Sequence, residues 1–134
     1  MILAVPVHQK RVSPLFDVAS RIRIIECRNA GRAERGTVLL EGMTDAQRVT
    51  VLKGIGVQCV VCAGISGSCS WMLRSAGIQV VDGVVGDVDD VVDAYQGGRV
   101  MEESFRMPGW GGRWRHRMGY GRGWGGGRGR GGPR

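Results

Sequence analysis

Residues 56–81, GVQCVVCAGISGSCSWMLRSAGIQVV, decide the fold. The run from Val57 to Ala63 is almost continuously apolar, the pattern of a strand covered on both faces. A Gly/Ser loop follows, and Ser66 or Ser68 can cap a helix that Gly77 ends. IQVV (78–81) then reads as a second short strand. Strand, crossover helix and strand make a βαβ unit, which demands parallel pairing and helices on the sheet.

Working outward, Thr44-Asp45-Ala46-Gln47 has capping-box spacing and predicts a helix that stops at Gly54. Downstream, Asp87 caps a third helix in which Val88, Val91, Val92 and Tyr95 follow the i, i+3, i+4, i+7 rule, closing at Gly97–Gly98. Upstream, ILAVPV (2–7) is a buried strand and RVSPLFDVASR (11–21) a loop punctuated by Pro14. RIRIIEC (21–27) alternates with period two, as a strand with one wet face does. RNAGRAERG (28–36) reads as a turn and TVLLEG (37–42) as a returning strand. The order β-β-β-α-β-α-β-α predicts an α/β sandwich on a five-stranded mixed sheet.

Charge divides the chain. The 134 residues carry 19 Lys+Arg and 12 Asp+Glu, a net +7. Residues 106–134 hold eight Arg, twelve Gly, three of the four Trp and no acid, so they contribute +8 and the body about −1. The expected division is an α/β domain over 1–105 and a disordered basic tail over 106–134. No apolar run reaches the roughly 18 residues of a membrane span, and the opening MILAVPVHQK has the reverse polarity of a signal peptide. A cytoplasmic protein with four reduced cysteines is expected. The arginines of RIRIIEC oppose edge-to-edge pairing, so a monomer is expected.

In open α/β sheets, ligands bind beyond the carboxyl ends of parallel strands. His8 follows the first strand there. Cys62 ends the VQCVVC strand, and the loop Ala63-Gly64-Ile65-Ser66-Gly67-Ser68 leads to Cys69 in the first turn of a helix. Gly lets backbone N–H groups approach a ligand, and a helix N-terminus favours an anion. The same position is expected to lower the Cys69 pKa and favour soft-metal ligation. Cys62, Cys69 and His8 are therefore the candidate metal ligands. Cys59 and Cys62 have CxxC spacing, but residues i and i+3 of a strand face opposite ways, so they are not expected to chelate together. Asp87, Asp89, Asp90 and Asp93 read as a helix cap with a solvated face. No nucleophile–base or paired-carboxylate arrangement is legible, so no enzyme is expected.

Two motifs together resemble the dinitrogenase iron–molybdenum cofactor-biosynthesis family. VSPLFDVASR is similar to its Ser-Pro-x-Phe-Gly-x-Ala loop. Residues 56–100 are similar to its second half, a Gly-Val-Asp-Val-Val-Ile strand, a Gly-Gly-Ile-Gly loop and a Leu-x-x-Ala-Gly-Ile helix end. The resemblance covers about residues 2–100 and implies a ribonuclease H-like three-layer fold without nuclease chemistry. It also implies binding, storage or delivery of a metal–sulfur cluster, iron–sulfur or molybdenum–copper sulfide. By position, the implied cluster-binding residues are Ser13, Pro14 and Phe16 with Ala63, Gly64, Ile65, Ser66, Gly67 and Ser68. Ala63 stands in place of the first loop Gly, and Asp17 in place of the Gly after Phe16.

The tail interleaves Arg with Trp110, Trp114, Tyr120 and Trp124, a composition suited to phosphate neutralisation and base stacking. Sulfide-bridged clusters are also anions, so the tail suits a cluster, an acidic protein or a nucleic acid. The leading expectation is a non-enzymatic cluster carrier assisted by its tail. The alternative is a nucleic-acid-binding protein acting through that tail.

Overall fold

The computed structural model describes residues 1–29, 31–98, 105 and 106. The described residues form six strands and three α-helices, four strands first and then the helices alternating with the last two strands. They are β1 (Ile2–His8), β2 (Arg11–Val12), β3 (Arg21–Arg28), β4 (Gly31–Leu39), α1 (Asp45–Ile55), β5 (Cys59–Val61), α2 (Gly67–Ser75), β6 (Gln79–Val81) and α3 (Val88–Gln96). A 3-10 turn, Phe16–Val18, lies between β2 and β3. The sheet order is β4-β3-β1-β5-β6, with β2 paired to β1 beyond that path. The sheet is thus mixed, as expected, but six-stranded rather than five-stranded. The sixth strand, Arg11–Val12, pairs antiparallel with Val7 and His8 and is too short to show a period.

Two parallel pairings, β1–β5 and β5–β6, form one half of the sheet, and antiparallel β1–β3 and β3–β4 form the other. RNAGRAERG is not a turn. Gly31–Leu39 is one long edge strand, and β3 lies inside the sheet. Nothing apolar marks the start of β4. Its backbone ladder with β3 is supplemented by cross-strand charges, Arg23 to Glu34 at 2.6 Å and Arg35 to Glu26 at 2.5 Å. The ladder shifts register between Ile24 and Ile25, a bulge on the β3–β4 pair.

Alternate side chains feed two cores. Leu3, Val5, Ile25, Cys59 and Val61 pack with Val88, Val91, Val92 and Ala94 of α3 on one face. Ala4, Ile22, Ile24, Val60 and Cys62 pack with Val49 and Leu52 of α1 and Cys69 and Leu73 of α2 on the other. The sheet is therefore the middle of three layers. Cys59 and Cys62 fall into different cores, which is why their CxxC spacing brings no shared ligand point.

The helix termini follow their sequence signals. Thr44 and Gln47 close a reciprocal capping box, Gln47 N–H to Thr44 Oγ1 at 3.2 Å and Thr44 N–H to Gln47 Oε1 at 2.8 Å. The helix runs through Gly54 to Ile55 and stops at Gly56, whose φ of 95° is left-handed. On α3 the acidic face is engaged rather than only solvated. Asp89 accepts from Arg23 and Arg32, and Asp93 from Arg32 at 2.9 Å. None of the described helices is long and apolar enough to cross a membrane.

Of the expected tail, only Arg106 lies within the described residues. Arg106 bridges antiparallel to Val84, and Val85 N–H donates to Phe105 O at 2.8 Å. Residues 107–134 lie outside the described residues.

Candidate functional site

Three chain segments are laced together beyond the carboxyl ends of β1, β5 and β6. The first is 13–18, which β1 and β2 deliver. The second is 63–66, between β5 and α2. The third is 82–87, between β6 and α3. Gly64 N–H donates to Pro14 O at 2.9 Å, and Phe16 N–H donates to Gly64 O at 2.8 Å. Ser13 N–H reaches back to Pro6 O at 2.8 Å. On the other side, Gly83 N–H donates to Ala63 O at 2.8 Å and Val84 N–H to Cys62 O at 3.0 Å. The loop that carries the Gly/Ser run is thus held from both flanks.

Gly64 is required by the closeness of that lacing. A Cβ there would stand 2.8 Å from Pro14 O, nearer than carbon and backbone oxygen can approach. Phe16 is fully buried and anchors the first segment in the core below. Ser13 is buried, Pro14 exposed and Ala63 buried, so the first and second segments meet over a packed floor.

The helix N-terminus lies at the open end of this arrangement. Ser66 is the N-cap, its Oγ accepting from Cys69 N–H at 3.1 Å. The first intrahelical bond is Ser70 N–H to Ser66 O at 3.0 Å. Gly67 and Ser68, both exposed, precede it, so their N–H groups have no carbonyl of the helix to bond. The first turn of α2 contains no acid. Ser68 Oγ lies 3.3 Å from Ser66 Oγ. This end of the helix offers two amides, two hydroxyls and the positive pole of α2.

One anion is already present. Asp17 accepts from Ser66 N–H at 2.9 Å, so the residue that stands in place of a Gly brings its carboxylate to the loop. Arg48, buried on α1, holds the turn that carries it, donating from Nη1 to Phe16 O at 3.2 Å and to Ala19 O at 2.5 Å.

The expected metal ligands fall in different places. Cys62 and Cys69 are both fully buried in the core between the sheet and α1/α2. Burial pushes the Cys69 thiol up to about 12, with the Asp17 and Asp45 carboxylates adding to the rise and Arg48 opposing it. The expected lowering by the helix N-terminus is therefore reversed. Desolvation outweighs the helix dipole, and two anions face the sulfur. Burial, followed by Asp82, holds Cys62 well above its ordinary range. His8 is exposed at the β1–β2 turn, directly opposite Arg11 in the ladder, and Arg11 in turn reaches Asp87 at 3.5 Å.

Reading along the chain missed one constellation. The ligand atoms of Asp17, Asp45 and Cys69 all lie within 4.8 Å of one another. They come from the 3-10 turn and the first turns of α1 and α2. No local period links positions that distant in sequence.

Comparison with known proteins gives the following. The family model described as dinitrogenase iron-molybdenum cofactor matches residues 1–98. The protein PH0822 superposes with a TM-score of 0.69 at 24% identity, over 75% of this chain and 92% of that one. A Thermotoga protein assigned to NifB and to the DUF35 family gives a TM-score of 0.60 at 22% identity, over 73% and 89%. The apo form of the orange protein from Desulfovibrio gigas gives 0.55 at 17% identity, over 74% and 89%. These likenesses are likenesses of fold. No characterised protein sequence matches the chain.

Proposed function

Because the chain belongs to the dinitrogenase iron-molybdenum cofactor family, we propose that it is a non-enzymatic carrier of an anionic metal–sulfur cluster, built on a ribonuclease H-like frame. The cargo is an iron–sulfur or molybdenum–copper sulfide species. It sits over the loop 64–69, where the Gly67 and Ser68 amides and the Ser68 hydroxyl face outward. The observation that supports this most directly is the exposed pair Gly67 and Ser68 that opens the acid-free first turn of α2, next to the Gly64–Pro14 crossing. Sulfides of the cluster would accept from those donors, and the pole of α2 would favour their charge.

Ser13, Pro14 and Phe16 act in this reading by fixing the loop, and Ala63 and Ile65 by flanking it. Cys62 and Cys69 stand before the loop and in the first turn after it. A thiol that ligates the cargo must first lose a proton that burial retains. His8 and the arginines beyond residue 106 are the peripheral contributors, with the tail root bonded at Val84 and Val85.

Anaerobic titration of the full chain tests the reading. Tetrathiomolybdate with and without copper, and separately iron with sulfide, are read by visible absorption. Stoichiometric colour is expected. Gly67→Pro removes one amide while keeping the helix start, because Ser66 already has the extended ψ of 154° that precedes proline. Gly67→Pro should weaken binding by about tenfold or more, the loss of one hydrogen bond to a charged group. A Cys62→Ser/Cys69→Ser pair reports whether thiols ligate. No colour with any of these clusters overturns the carrier reading and returns the function to the Arg-rich tail and nucleic acid.

A further inference from the structure

We propose that Asp17, Asp45 and Cys69 form a binding site for a single divalent metal ion of borderline softness, such as zinc, separate from the cargo over the loop. Their one carboxylate oxygen each and the sulfur lie within 4.8 Å of one another, close enough to converge on one ion. Three rigid starts of structure supply them. Asp45 opens α1 behind its capping box, Cys69 is capped by Ser66, and Asp17 is carried by the turn that Arg48 holds.

A second observation points the same way. Cys69 is fully buried, and its sulfur lies within 4.8 Å of a carboxylate oxygen of Asp17 and of one from Asp45. Two half-buried carboxylates beside a buried sulfur gather negative charge at one point, which a cation between them would offset. The charges then balance. A thiolate and two carboxylates carry −3, a divalent ion +2, and the buried Arg48 guanidinium within electrostatic reach of the sulfur supplies +1. Arg48 Nη1 is bonded to the Phe16 and Ala19 carbonyls, while its Nε is buried without a hydrogen-bond partner. One sulfur and two oxygens suit zinc or cobalt better than magnesium or calcium, which take oxygen alone. Three protein ligands leave a fourth tetrahedral position for water or an incoming group. Ser66 N–H, bonded to Asp17 Oδ1, fixes the orientation of that carboxylate.

The test uses cobalt(II) as probe on the full-length, cargo-free chain under anaerobic conditions. One equivalent should give a sulfur-to-cobalt charge-transfer band with the visible bands of a tetrahedral ion, and zinc should displace it. Cys69→Ser should abolish the charge-transfer band, and Asp45→Asn should weaken binding by at least about tenfold, the effect of losing even an outer partner. Cys27→Ser, at the partly buried cysteine that packs against the other core, should leave the spectrum unchanged. Circular dichroism shows whether each variant is folded, and Asp45→Asn, at a half-buried helix start, carries the test should Cys69→Ser unfold. Absence of the sulfur band, its persistence in Cys69→Ser, or equal binding by a folded Asp45→Asn overturns the proposal. The cluster titrations are read separately, so either site can fail without the other.

Discussion

The two halves of the sheet solve the same packing problem differently. In the antiparallel half, β3 and β4 run eight and nine residues and meet solvent along β4, with arginine and glutamate paired across the ladder. In the parallel half, β5 and β6 are three residues each, and β5 is wholly buried. The long hairpin is held by its own ladder and ion pairs. The short strands have little ladder to rely on, so the loops beyond their carboxyl ends must be laced to one another. The half with the least regular structure is therefore the half in which backbone amides are held in fixed positions at a surface. Charges along β4 also blunt the one long exposed edge.

If this division holds, alkaline pH should strike the parallel half hardest. Cys59, Cys62 and Cys69 all belong to it. Burial raises the Cys59 thiol to about 11, against a lowering by the Tyr95 hydroxyl, and Cys69 to about 12, with Cys62 raised as well. An unfolded chain releases these protons near the ordinary 9.0. Their contribution to stability is fully present below that value and is lost as pH rises from 9 towards 11 and 12. The loss is read as a falling denaturation midpoint. A flat profile between pH 9 and 11 would break the comparison.

Gly64→Val attacks the lacing itself. The new side chain must part the 13–18 and 63–66 segments and sever two backbone bonds. We expect a loss of about 2–4 kcal/mol together with cargo binding. Full stability in chemical denaturation would show the crossing to be dispensable. Thr44→Ala removes one arm of the capping box behind α1 and should cost about 1 kcal/mol. Arg23→Ala, in the antiparallel half, should cost least. It deletes contacts to Glu34 and Asp89, yet those partners are largely solvated, so about 0.5–1 kcal/mol is expected. A larger loss there than at Gly64 would invert the comparison.

Legibility in the sequence follows the same division. Thr44 and Ser66 signal helix starts through side-chain caps, Asp87 stands at the third N-cap without a side-chain cap bond, and the 56–81 stretch declares its βαβ unit. The opposite facing of Cys59 and Cys62 follows from strand geometry alone. The first half of β4 was opaque because both its faces are polar and its support comes from residues on β3. The Cys69 thiol was misread because the helix pole is visible in sequence while burial and the carboxylate of Asp17 are not. The Asp17–Asp45–Cys69 grouping needs three elements to meet before it exists.

The bonds at Phe105 and Arg106 have a kinetic consequence. They graft whatever follows onto Val84–Val85, and Val84 is itself bonded to Cys62 at the base of the loop. Seven arginines follow that graft point. A tethered group acts at an effective concentration set by its tether, roughly millimolar for short ones. Contact between those guanidinium groups and anything held on the loop is therefore unimolecular. Dilution of the protein leaves it unchanged, whereas the same peptide added in trans would have to reach millimolar levels to compete.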